Sequence, residues 1–230
     1  MGLREDFSFY IGDKPAHQAV YEALRDAIVS GRIPKGQRLI ETDYAKLFNV
    51  SRTPIRTALQ KLEKNGLVIA LPNGGLEAKG LNLEGINNMF KFQQALEHLA
   101  FPQVLRNITD GELNALMQKI RDSEDLVEKD LLQAAHINEN IHRTLFQISR
   151  FEGIMEAVDL AYGYVQGFNL MASQDKGRQA AITSEHKAIL EALSMRDLTL
   201  VTSVSDYHLE ACKLYAIQYY QHTLNPSEVR

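Results

Sequence analysis

The chain has few of the features that would tie it to a membrane or to a small cross-linked scaffold. Its 230 residues contain one cysteine, Cys212. An internal disulfide framework is therefore excluded, and the lone thiol reads as a small buried apolar residue in a reducing compartment. No run approaches the ~20 apolar residues that cross a bilayer. The opening "MGLREDFSFYIGDK" is broken by acids and lacks the apolar stretch of a secretory signal. A cytoplasmic protein with no membrane partner is expected. Internal repeats and low-complexity tracts are also missing. What remains is a globular composition, 45% hydrophobic and 23% charged, in a length that suits two domains.

Charge is unevenly spread. Residues 1–80 hold 12 Lys and Arg against 9 Asp and Glu, whereas residues 81–230 hold 13 against 20. A basic front on an acidic rear suits a front that meets a polyanion.

Within that front, "HQAVYEALRDAIVSG" repeats Val20, Leu24 and Ile28 at four-residue spacing and stops at Gly31, which predicts a helix. Thr42 is positioned to cap a short second helix, "DYAKLFN", that buries Tyr44 or Ala45 and Leu47. Asn49 ends it in the left-handed conformation. Ser51 is then placed to cap a third helix, with Pro54 in its first turn and Ile55, Ala58, Leu59 and Leu62 facing inward. Arg52 and Arg56 fall one turn apart on the outer face. "LVIALPNGGLEAKGL" reads as two short strands around a tight turn. Three helices and a two-stranded wing form a winged helix-turn-helix, whose third helix enters the major groove. Arg52 and Arg56 are the candidates for guanine edges or phosphates, with Ser51 and Thr53 on phosphate oxygens.

The stretch "VSRTPIR", followed by "AL.KLE.NGLV" and preceded by "LR.AI.SG.I..G..L.E", resembles the N-terminal domain of GntR-type bacterial transcription regulators. That resemblance implies operator contacts from Arg52 and Arg56, backbone contacts from Ser51 and Thr53, and a wing tip at Gly75. Many relatives carry a basic residue where this chain has Gly74, and some an arginine where it has Thr42, so fewer contacts from those elements are implied.

From Leu83 the sequence reads as nearly continuous helix, in segments 83–106, 110–128, 130–149, 151–173, 179–195 and 198–222, broken by short turns. Such short connections give an antiparallel all-α bundle. The fold class is thus mostly α, with a DNA-binding domain over 1–78 and a helical domain over 79–230. Glu77 to Gly85 is the expected hinge region.

Three histidines point inward from different helices of that bundle. His142 shares a face with Asn138, His186 with Ile182 and Leu190, and His208 with Val204 and Ala211. Each alone reads as a hydrogen-bonded core residue; together they read equally well as ligands, since neutral imidazole is the commonest transition-metal donor. The order "N…H", "EH..IL.AL…D" and "H" is similar to the FCD domain of the FadR-type subgroup. The resemblance implies a bundle around an effector cavity and a divalent metal, Zn or Ni, on His142, His186, His208 and Asn138. Where relatives carry an arginine for an effector carboxylate, this chain has Gln93. Tyr162, Tyr164 and Gln166 are further candidates for lining the cavity. A homodimeric repressor on a two-fold operator, controlled by a small metabolite such as an organic or sugar acid, is the expected whole. A metal-sensing regulator would use the same histidines. So would a metal-dependent enzyme, but no general-base spacing stands out beside the ligand set, and no enzyme is expected.

Overall fold

The computed structural model describes residues 3–12, 14–80, 82–158 and 175–224. The chain divides into two compact units, Met1–Asn82 and Leu83–Arg230.

In the first unit, α2 (Ala16–Val29) is the spine. Its Ala19, Val20, Ala23, Leu24 and Ile28 are buried, and it ends before Gly31 at φ +74°. A helix that the sequence reading did not anticipate, α1 (Leu3–Ile11), precedes it. Phe7 and Tyr10 of α1 are buried, and the Tyr10 hydroxyl donates to the buried Asp26, which Arg25 Nε also reaches at 2.6 Å. This added helix changes what α3 (Glu41–Phe48) buries. Phe48 lies inward with Tyr44 and packs on Phe7 at 4.9 Å between ring centres, whereas Leu47, expected inside, is 36% exposed. Thr42 does not cap α3, which begins two residues earlier than such a cap implies, at Glu41, with no side-chain cap. Asn49 ends it at φ 55°, ψ 47°, the left-handed geometry that asparagine tolerates.

In α4 (Arg52–Lys64), Ile55, Ala58, Leu59 and Leu62 are buried, as their spacing requires. Ser51 holds the extended cap position, but its hydroxyl accepts no backbone N–H, contrary to expectation. The wing has three strands rather than two. β2 (Val68–Ala70) and β1 (Arg38–Leu39) flank β3 (Leu76–Ala78), and both pair antiparallel to it. Gly74 and Gly75 make the turn between β2 and β3 at φ +81° and +97°, where a side chain would be strained.

The second unit comprises α5 (Leu83–Asn107), α6 (Asp110–Leu126), α7 (Leu131–Ser149), α8 (Lys176–Ser194) and α9 (Leu198–Tyr219), closed by a π-helical turn, Tyr220–Leu224. Starts are set by side-chain caps. Thr109 and Glu112 form a reciprocal capping box, and Asp130, Asp175 and Asp197 each accept the backbone N–H three residues on. Asp175 explains why α8 begins before the expected residue 179. Of the segment expected at 151–173, residues 154–158 are helical and 159–173 lie outside the described residues. Phe101, Phe146, Ile120 and Ile141 fill the centre of the bundle.

Candidate metal centre and nucleic-acid interface

His142 of α7, His186 of α8 and His208 of α9 are all buried, and their Nε2 atoms converge. The three separations are 2.9 Å (His186 to His142), 3.1 Å (His142 to His208) and 3.2 Å (His186 to His208). Donors about 2.0–2.1 Å from one tetrahedral zinc ion lie about 3.3 Å apart. The cluster therefore has the size of a three-nitrogen metal site.

The opposite ring nitrogens explain why the rings point this way. His142 Nδ1 lies 2.8 Å from Glu97 Oε1, His208 Nδ1 2.7 Å from Glu185 Oε2, and His186 Nδ1 2.8 Å from Asn138 Oδ1. Burial raises the Glu97 carboxyl, but His142 and Ser205 outweigh it and hold the group below the usual carboxylate range. Burial is likewise outweighed at Glu185, by His208 and Arg178. Both glutamates are thus acceptors only. Asn138 donates its amide to Ser123 Oγ at 2.9 Å and Thr183 Oγ1 at 2.9 Å, which turns its oxygen to His186. The three Nδ1 atoms then donate to these oxygens, and each Nε2 without a hydrogen aims its lone pair at one shared point.

Such an arrangement needs a cation. Burial and the neighbouring His208 and His142 keep His186 well below the ordinary imidazole value, so it stays neutral. His208 goes the other way, to about 10: burial opposes the shift, and Cys212 and Glu185 override it. A proton on His208 can bridge the lone pairs, and a metal ion would take its place. The donor set fits a borderline divalent ion with three neutral nitrogens.

Asn138, expected as the fourth ligand, lies behind His186 in this arrangement and orients that ring rather than joining the Nε2 cluster. Gln93 is buried on α5 and donates to Glu97 Oε1 at 3.0 Å, leaving its own Oε1 without a protein partner. It lines a tight cavity beside the histidines, together with Phe90, Gln179 and Cys212, with about 10 Å³ of free space. Tyr162, Tyr164 and Gln166 lie outside the described residues. Cys212 is not the apolar filler that its isolation implied: it is half-buried, and Arg178 Nη2 donates to its sulfur at 3.0 Å. The sequence reading gave no role to Glu97 or Glu185. Glu185 is adjacent to His186 in sequence yet serves His208, a pairing that only the helix packing creates.

In the first unit, Arg52 and Arg56 project from the outer face of α4 with side chains 59% and 57% exposed. Ser51, Thr53 and Gly75 are exposed too. Both arginines hold one carboxylate that the sequence reading passed over, Glu41 at the start of α3. Arg52 Nη2 reaches it at 2.8 Å and Arg56 Nε at 2.9 Å. Hydrogen bonds from Arg56 and then Arg52 bring the Glu41 carboxyl down to about 2. The motif already held the signal, since the last position of "G..L.E" is this glutamate.

Residues 16–77 match the model of bacterial regulatory proteins, gntR family, and residues 88–211 match the FCD domain. Among curated proteins, the HTH-type transcriptional repressor RspR of Escherichia coli (strain K12) is 27% identical over 198 residues, covering 86% of this chain and 87% of that one. An uncharacterized HTH-type transcriptional regulator, YdhC of Bacillus subtilis (strain 168), is 25% identical over 214 residues and 91% of each chain. Of solved structures, E. coli McbR/YncC superposes with a TM-score of 0.74 over 89% of this chain and 98% of that one, at 17% identity, which is a likeness of fold.

Proposed function

We propose a ligand-responsive, metal-containing repressor as the role of this chain, which belongs to the GntR family of bacterial regulatory proteins and carries an FCD domain. Membership makes it a DNA-binding transcription regulator rather than an enzyme. The observation that carries the proposal is the convergence of three Nε2 atoms within 3.2 Å, each ring locked from behind by Glu97, Asn138 or Glu185.

On this reading His142, His186 and His208 hold a divalent ion, Zn or Ni, and Asn138 steers His186. The ion, when bound, supplies a Lewis-acidic position open to an effector oxygen. Gln93 offers the effector an acceptor, so a group bearing O–H or N–H suits that wall. The head, residues 1–78, reads a two-fold operator through Arg52 and Arg56, with Ser51, Thr53 and Gly75 against the backbone. Residues 79–230 form the effector and dimerisation domain. The repressor sign follows the printed name of the E. coli relative. A tenfold change in operator affinity needs about 1.4 kcal/mol of differential effector binding between two arrangements.

A homodimer is supported by exposed apolar ridges at seven-residue spacing on two helices that pack together: Phe92 and Leu99 on α5, and Leu200, Tyr207 and Leu214 on α9. Charging them in Leu99→Asp/Leu214→Asp is expected to halve the mass seen by light scattering, to that of one 26.0 kDa chain. Wild type already at that mass would remove the dimer from the proposal.

The competing reading, a metal sensor, is separated by titrating fluorescent operator with protein that is metal-loaded, chelated, or loaded and mixed with a metabolite panel. An effector-controlled regulator changes anisotropy with a metabolite present. A sensor changes it with metal alone.

A further inference from the structure

We infer, on the reading that Arg52 and Arg56 meet the duplex, that Glu41 is a positioning residue that sets the specificity of the DNA-reading tip. A guanidinium offers donors along two edges: the side formed by Nε and one Nη, and the end formed by both Nη atoms. Glu41 takes the side edge of both arginines at once. Its Oε2 receives Arg52 Nη2 at 2.8 Å, Arg52 Nε at 3.3 Å and Arg56 Nη2 at 3.0 Å, and its Oε1 receives Arg56 Nε at 2.9 Å. What each guanidinium keeps free of Glu41 is its end, with Nη1 and the second hydrogen of Nη2. That is the donor pair that fits O6 and N7 of guanine.

The carboxylate is itself well anchored. Glu41 is the first residue of α3, where free backbone amides favour a negative charge, and its side chain is 24% exposed against 59% and 57% for the arginines. One acid against two bases leaves a single net positive charge at the tip. Without the acid, two long cations could swing to the nearest phosphates, which every sequence offers equally. With it, a phosphate must displace an existing ion pair, whereas a guanine that engages the free ends need not. Glu41 therefore weakens binding to unmatched duplexes while sparing the matched one, which is a gain in specificity. Exposed ion pairs contribute little to folding, so Glu41→Gln keeps the fold.

The experiment first selects a duplex from a random-sequence pool with the wild-type chain. Anisotropy titrations at several salt concentrations then compare that duplex with a shuffled one of equal composition. For Glu41→Gln, binding to the shuffled duplex is expected to tighten severalfold while the selected duplex gains nothing. The ratio between them falls by the same severalfold factor, and the salt slope on the shuffled duplex steepens by about 0.9 for each new phosphate contact. An unchanged ratio, or an equal loss on both duplexes, overturns the inference and leaves Glu41 as structural support. Arg52→Ala and Arg56→Ala run alongside. If neither weakens the selected duplex, the reading of α4 has failed. If both do and Glu41→Gln keeps the ratio, the inference about Glu41 alone has failed.

Discussion

His186→Ala is expected to leave purification without a divalent ion, and the wild type to carry about one per chain. His186 Nε2 lies 2.9 and 3.2 Å from the other two donors, and its removal leaves a pair that cannot enclose a metal. Asn138→Ala removes an orienting contact and no member of the Nε2 cluster, so the ion should stay but bind about 10–100-fold more weakly. Elemental analysis reads the first result, and competition with a graded chelator reads the second. Affinity should also climb with pH up to about 10, because the proton that Cys212 and Glu185 favour on His208 competes for the same lone pair. Wild-type protein that stays metal-free after loading with Zn would reduce the triad to a proton-bridged core cluster.

Arg52→Ala and Arg56→Ala should each cost about 1–3 kcal/mol of operator affinity, or roughly 5–150-fold, with the oligomeric state and the helical spectrum unchanged. The double substitution should cost more than the sum. Either arginine alone still neutralises Glu41, but with both gone a bare carboxylate faces the phosphates. Salt-controlled anisotropy of all four proteins gives the coupling directly. Additive losses would mean that the two arginines act independently of the acid between them.

Much of this was legible in the chain. The inward stripe of α4 and the left-handed stop at Asn49 follow from residue spacing and from what asparagine tolerates, which are local facts. The histidines were legible as three inward-facing positions on separate helices. What stayed hidden depends on elements meeting in space. The helical spacing alone places Leu47 inside, and Phe48 gains its partner, Phe7, only from α1. The two-stranded wing became three because β1 arrives from before α3. The roles of Glu97, Glu185 and Cys212 are set by contacts across helices that no periodicity encodes.

Ile40 is the only residue between the outer strand of the wing and the helix that bears the carboxylate clasp, and its backbone is already extended. There is no slack at that joint. If the tip meets a duplex as proposed, a tilt of the hairpin would pass through it to Glu41 and so to both guanidinium groups. On the proposed docking, hairpin and α4 would behave as geared parts of one gripping tool, and a groove that seats one badly would unseat the other.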